Sequence, residues 1–96
     1  MKDIFGPNQR IIMLQGMEND NDYSLSNEML QRLLVAYGHG VGVSQVNEQI
    51  RWLKEQELVT TEELGNGIIV AKLTRLGLDV AKGHARVEGV DRPIPE

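Results

Sequence analysis

Apolar residues fall at three- and four-residue spacing as far as about position 57, then switch to alternating or continuous runs. The first regime is that of amphipathic helices, the second that of strands. Gly6-Pro7 opens the first helix, because proline suits the first helical position, where its missing N–H costs nothing. Ile11, Ile12 and Leu14 follow, with Ile4 or Phe5 placed to staple the entry, so a helix is expected over about 7–18. The polar run Glu18-Asn19-Asp20-Asn21-Asp22 is a break with turn chemistry. A second helix begins after Ser24 or Ser26, both good caps. Leu25, Met29, Leu30, Leu33, Leu34 and Tyr37 supply its apolar side, and Gly38 ends it as a left-handed cap.

The glycine-rich turn Gly38-His39-Gly40-Val41-Gly42 leads into a third helix, from Val43 or Ser44 to about Glu57. Its Val46, Ile50 and Leu53 lie within about 60° of one another on a helical wheel and form the buried stripe. Ser44, Asn47, Glu48, Arg51 and Glu55 occupy the opposite arc, with Gln45 and Trp52 on the flank. Leu58 to Leu64 then reads as a strand, Gly65-Asn66-Gly67 as a tight turn tolerant of positive φ, and Ile68 to Leu73 as the β-branched return strand. Thr74 caps a last helix at about 75–83, with Leu73, Leu76 and Val80 on its apolar side. Pro93 and Pro95 make the remainder extended or frayed, which divides the chain into a domain at 1–86 and a tail at 87–96.

Helix, helix, short turn, helix, hairpin, helix is the order of an α+β winged helix-turn-helix. A three-helix core carries a two-stranded β-hairpin wing and a C-terminal helix, and the third helix is free to enter a major groove. Short motifs carry a family resemblance as well. They include Tyr23-Ser24-Leu25, Tyr37-Gly38-His39, Trp52-Leu53-Lys54-Glu55-Gln56, Leu58-Val59-Thr60, Leu73-Thr74, Gly77 to Ala81, and the stretch from Ala85 to Pro93. On these the chain resembles small winged-helix, ArsR-like proteins of Mu-like phages and prophages. The resemblance implies that fold and a phage context. The chain departs from winged-helix regulators at Glu57, where they place glycine before the Leu-Val that opens the wing, so the third helix is expected to end without a left-handed cap. It also lacks the thiolates of the metal sensors in that group.

Composition narrows the chemistry. The 96 residues are 41% hydrophobic and 25% charged, a single globular domain's worth. Cysteine is absent and histidine numbers two, His39 and His84, which excludes disulfides, thiolate metal sites and multi-histidine centres. No apolar run approaches the roughly 20 residues of a membrane helix, and the N-terminus has no signal-like core. A soluble cytoplasmic protein is expected, in the host cell if phage-encoded, with no membrane partner, cofactor or metal. His39 sits in a turn, no Ser–His–Asp arrangement suggests itself, and the glycine turn follows a helix rather than a strand, so an enzyme is not expected. Asp20, Asp22, Ser24, Ser26 and Glu28 alternate like a calcium loop, but Leu25 stands where glycine is needed and Gln31 where the final glutamate is.

Two functional readings stand. In the first the chain is a phage-type DNA-binding transcriptional regulator. Asn47 and Arg51 would read bases, Glu48 is a type suited to cytosine, and Ser44, Gln45 and Lys54 would hold the helix on the backbone of double-stranded DNA. Gly65, Asn66 and Gly67 would form the wing tip. Lys72, Arg75 and Lys82 are candidate phosphate contacts, although cations there also suit the end of a helix dipole. Charge opposes this reading. The net charge is −4, and residues 44–73 hold three cations against five glutamates, Glu62 and Glu63 among them at the wing. In the second reading the domain is a non-enzymatic interaction or assembly module that does not bind DNA, a docking unit for a phage or host protein; in either reading a homodimer is expected. Met13, Met17, Leu76, Val80 and Ala81 are candidates for its surface. Trp52 either packs under the hairpin or stacks on a base.

Overall fold

The structure, a computed structural model, describes residues 3–95. Four helices and a three-stranded antiparallel sheet form one compact α+β unit. In chain order they are α1 (Gly6–Glu18), β1 (Ser24–Ser26), α2 (Asn27–Ala36), α3 (Val43–Glu55), β2 (Val59–Gly65), β3 (Ile68–Leu73) and α4 (Arg75–Lys82). The sheet order is β1-β3-β2.

α1 is the central helix. Ile11, Ile12, Met13, Leu14 and Met17 are all buried, so it is apolar nearly all round, as a helix enclosed by its neighbours must be. It packs on α2, α3, α4 and the sheet. Met13, Met17, Val80 and Ala81 are therefore core residues of one chain. Of the five expected on a dimer surface, only Leu76 is exposed.

Several local expectations hold. Ser26 caps α2 by accepting the Met29 N–H, and Thr74 caps α4 by accepting the Gly77 N–H. Gly38 follows α2 at φ 91°. Val46, Ile50 and Leu53 are the buried residues of α3. The hairpin turns at Asn66-Gly67, both at positive φ (56° and 77°), the geometry that matches strand twist in a two-residue turn. A bulge between Glu63 and Gly65 leaves Leu64 out of the ladder and exposed.

Three expectations are corrected. Leu25 belongs to a strand, not to the second helix. β1 pairs with β3 (Ser24↔Lys72, Leu25↔Ala71, Ser26↔Val70), so the sheet has three strands rather than two. Three residues are too few to show an alternation, and only pairing with distant β3 makes them a strand. Second, α3 ends at Glu55, and the left-handed cap is present although no glycine supplies it. Glu57 takes φ 63°, its N–H donates to the Lys54 carbonyl at 2.9 Å, and Leu58 N–H reaches back to Leu53 at 2.9 Å. Those two bonds are a Schellman closure. Burial of Leu58 and Val59 directly afterwards holds the strained residue in place. Third, residues 87–95 carry no helix or strand but are seated rather than frayed. Val90 is buried, and the Asp91 N–H donates to the Pro7 carbonyl at 3.1 Å.

Two substitutions test this packing by chemical denaturation. A β-carbon on Gly77 would collide with the Leu58 carbonyl, a backbone atom that cannot swing away. Gly77→Ala is expected to cost roughly 1–3 kcal/mol or more. Glu57→Gly removes the left-handed penalty and is expected to stabilise by up to about 1 kcal/mol, the relief exceeding glycine's extra freedom in the unfolded chain.

Candidate nucleic-acid interface

α3 and the hairpin enclose an open groove of about 250 Å³ lined by Asn47, Ile50, Arg51, Lys54, Thr61, Glu63 and Ile69. Sheet register decides which hairpin residues face it. Val59↔Leu73, Thr61↔Ala71 and Glu63↔Ile69 share the face toward α3. Thr60, Glu62, Val70 and Lys72 share the outward face with Ser24 and Ser26 of β1. The two hairpin carboxylates therefore part company, and only Glu63 stands in the groove with Arg51 and Lys54.

Ser44, Glu48, Arg51 and Glu55 are exposed on α3, as the wheel predicts, whereas Asn47 of the same arc is half-buried; Gln45 and Lys54 are exposed as well. Among the described residues the ion pairs are Arg10–Asp3, Lys72–Asp22 and Arg75–Asp79, so Arg51 and Lys54 are paired with no carboxylate there. Gln45 has a local task, since its Oε1 accepts the Gly42 N–H at 3.1 Å and closes the start of α3. Lys72 pairs with Asp22 on the outward sheet face at 3.5 Å. Arg75 is near Asp79 within α4 at 3.9 Å, and Lys82 lies in the last turn of that helix. None of these three cations lines the groove, so the basic concentration read from sequence does not join α3 at one surface.

Asn47 is half-buried and already engaged. Its Oδ1 accepts from Asn27 Nδ2 at 2.9 Å. Asn27, which sequence reasoning passed over, is completely buried. Its Nδ2 also donates to the Gly67 carbonyl at 2.9 Å, while its Oδ1 accepts the N–H groups of Ile69 (3.2 Å) and Glu28 (3.0 Å). One side chain thus ties the start of α2 to α3 and to the hairpin turn. The only sequence signal was an asparagine directly after a capping serine, where it reads as turn chemistry.

Trp52 is half-buried and lies against α1, beside Arg10 and Gln9, not in the groove that α3 forms with the hairpin. The Arg10 guanidinium stacks 4.0 Å from its ring centroid. Arg10 Nε donates to Gln49 at 2.8 Å and Gln49 Nε2 to Gln9 at 2.9 Å, while Gln9 meets His39 Nδ1 at 3.3 Å. His39 Nε2 reaches Asn8 Oδ1 at 2.8 Å, with Phe5 edge-on to the ring. The turn histidine thus fastens the α2–α3 loop to α1. Asp20 closes its own turn by accepting the N–H groups of Asp22 and Ser24. Among the described residues no group of three histidine or acidic side chains is placed to hold a metal, and no helix is long and apolar enough to cross a membrane.

The chain is 44% identical over 95 residues, spanning 99% of this chain and 97% of the relative, to the protein gp26 of Escherichia phage Mu. It is 30% identical over 74 residues to a protein of Haemophilus influenzae strain Rd, covering 77% of this chain and 72% of that one. Both relatives are described as uncharacterized proteins. The chain matches no protein-family model and no solved structure.

Asn27 generates a stability prediction. Asn27→Ala leaves the Gly67 carbonyl, the Ile69 N–H and Asn47 Oδ1 short of a partner and is expected to cost roughly 2–4 kcal/mol in urea unfolding. Asn27→Asp keeps the two accepted bonds but sets a carboxylate against two acceptors. Its folded-state pKa would be raised, so its stability is present at low pH and lost as pH rises. Equal stability of Asn27→Asp at pH 4 and pH 8 would contradict the assigned geometry.

Proposed function

The chain belongs to the family of the phage Mu protein gp26, and we propose that it is a winged helix-turn-helix acting as a DNA-binding transcriptional regulator. The element order supports the fold assignment: three helices, a short third strand before α2, a hairpin after α3 and a closing helix. The observation that carries the functional reading is the α3 face beside the hairpin. There Arg51 and Lys54 stand exposed and unpaired by any described carboxylate at the mouth of a groove. α3 enters the major groove, Arg51 reads a base edge, and Ser44 and Lys54 meet phosphates. Asn47 contributes through its free amide, its Oδ1 being shared with Asn27. The Gly65-Asn66-Gly67 tip is small enough to approach a sugar–phosphate backbone.

Electrostatics set the strength of such binding. Glu63 in the groove and Glu48 on α3 oppose phosphate, so affinity is weak and, with few cations to neutralise phosphates, its salt dependence is shallow. The acidic hairpin with exposed Leu64 at its bulge favours a second reading, an interaction module with a basic protein partner.

Anisotropy of labelled mixed-sequence duplex at low salt separates the two. Saturable binding is expected. Arg51→Ala should weaken it by roughly 1–3 kcal/mol on a selected site. Glu63→Gln should strengthen it several-fold, by relieving about one charge at phosphate distance. No binding at low salt, for the wild type and for Glu63→Gln alike, sinks the regulator reading and leaves the protein-partner one.

A further inference from the structure

The segment after α4 is held to α1 at separate points. Arg10 Nη1 donates to the Gly89 carbonyl at 2.9 Å, and the Asp91 N–H donates to the Pro7 carbonyl at 3.1 Å. Gln15 then grips Ile94 twice. Its Nε2 donates to the Ile94 carbonyl at 3.2 Å, and its Oε1 accepts the Ile94 N–H at 3.1 Å. A single side-chain amide thereby makes the two bonds that a neighbouring antiparallel strand would make to that residue. Between these points Val90 is buried in the core. Beyond them Ile94 and Pro95 border a groove of about 310 Å³ between α1 and α2, with Ile12, Gly16, Leu33 and Tyr37. This is a docked strap, held by backbone recognition as well as by apolar burial.

The same segment meets α3 at Gly89. Gly89 lies at φ 96°, and a β-carbon there would stand 2.7 Å from Trp52 Cζ2. Residue 89 must lack a side chain on both counts. Trp52 is in turn stacked by Arg10, whose side chain is only 11% exposed and which also donates to Gln49. One guanidinium therefore joins the strap, α1 and two residues of α3. Its hydrogen bonds to charged and neutral acceptors leave it little freedom once Gly89 is in place.

We infer that residues 87–95 are a strap whose seating sets the position of α3, transmitted through Gly89, Arg10 and Trp52. When the strap is seated, Trp52 is fixed between Arg10 and Gly89. When it lifts, Val90 leaves the core, Trp52 gains solvent and Arg10 loses an acceptor, so α3 loosens on its α1 side. The inference goes beyond the DNA-binding reading and holds whatever α3 engages.

Amide hydrogen exchange and Trp52 emission on the full chain test it, with Gln15→Ala and Gly89→Ala as variants. Trp52 is the chain's one tryptophan, so its emission is unambiguous in origin. Gln15→Ala is expected to speed exchange across 87–95 by about tenfold, the loss that the clamp's hydrogen bonds represent. Exchange in the C-terminal half of α3 should accelerate with it, and Trp52 emission should shift to the red, with far-ultraviolet circular dichroism unchanged. Gly89→Ala should do the same. A strap set free while α3 exchange and Trp52 emission stay at wild-type values overturns the inference, and so does a strap still protected in Gln15→Ala. If Gly89→Ala fails to fold, Gln15→Ala decides alone, since it replaces a half-buried side chain outside the core with a good helix former.

Discussion

The buried amide of Asn27 is the constraint on which the shape of the α3–hairpin surface depends. It lies at the first residue of α2, where a short strand becomes a helix, and its hydrogen bonds run to α3, to the hairpin turn and to β3. A fully buried primary amide is costly unless each of its donors and acceptors is used. Among the described residues no buried side-chain polar atom is left without a partner, and here the partners come from three elements. Apolar packing is less directional than hydrogen bonding and by itself specifies the placement of the hairpin on α3 less sharply. The directional bonds of Asn27 sharpen that placement and fix the width of the groove that holds Arg51 and Lys54.

Shape and charge pull in different directions in this molecule. The backbone arrangement presents a helix beside a hairpin, as a groove-reading domain requires. The charge distribution supplies little of the phosphate attraction that carries most such complexes. The structure softens the conflict but does not remove it. Glu62 is turned to the outward face of the sheet by register, so one hairpin carboxylate rather than two offsets the groove cations. In the same way Lys72, Arg75 and Lys82 stand elsewhere and cannot compensate. The result is a surface whose shape is that of a helix beside a hairpin and whose net charge over residues 44–73 is not basic.

Helix positions, caps and the hairpin were legible because each rests on local chemistry: Ser26 and Thr74 as caps, Asn66-Gly67 as a turn, and the Val46, Ile50 and Leu53 stripe. What escaped is nonlocal. β1 exists only through its pairing with β3, and Met13 and Met17 are buried only because α1 is enclosed on all sides. Glu57 is left-handed because Leu58 and Val59 must enter the core, a tertiary demand that outweighs the backbone preference of glutamate. The candidate site divides along the same line. The exposure of Ser44, Glu48, Arg51 and Lys54 follows from helical periodicity. The engagement of Asn47 by Asn27, and of Trp52 by Arg10, depends on residues 20 or more positions away and leaves no pattern in the sequence.

The central claim, that the α3–hairpin face engages DNA as one surface, is tested most directly by amide chemical-shift mapping of the isotopically labelled chain titrated with a mixed-sequence duplex at low salt. Concerted, saturable shifts are expected at Ser44, Glu48, Arg51 and Lys54 together with Gly65, Asn66 and Gly67, with α4 and the outward sheet face undisturbed. Shifts confined to α1, α2 or α4, or none at duplex concentrations well above those of the protein, would contradict it.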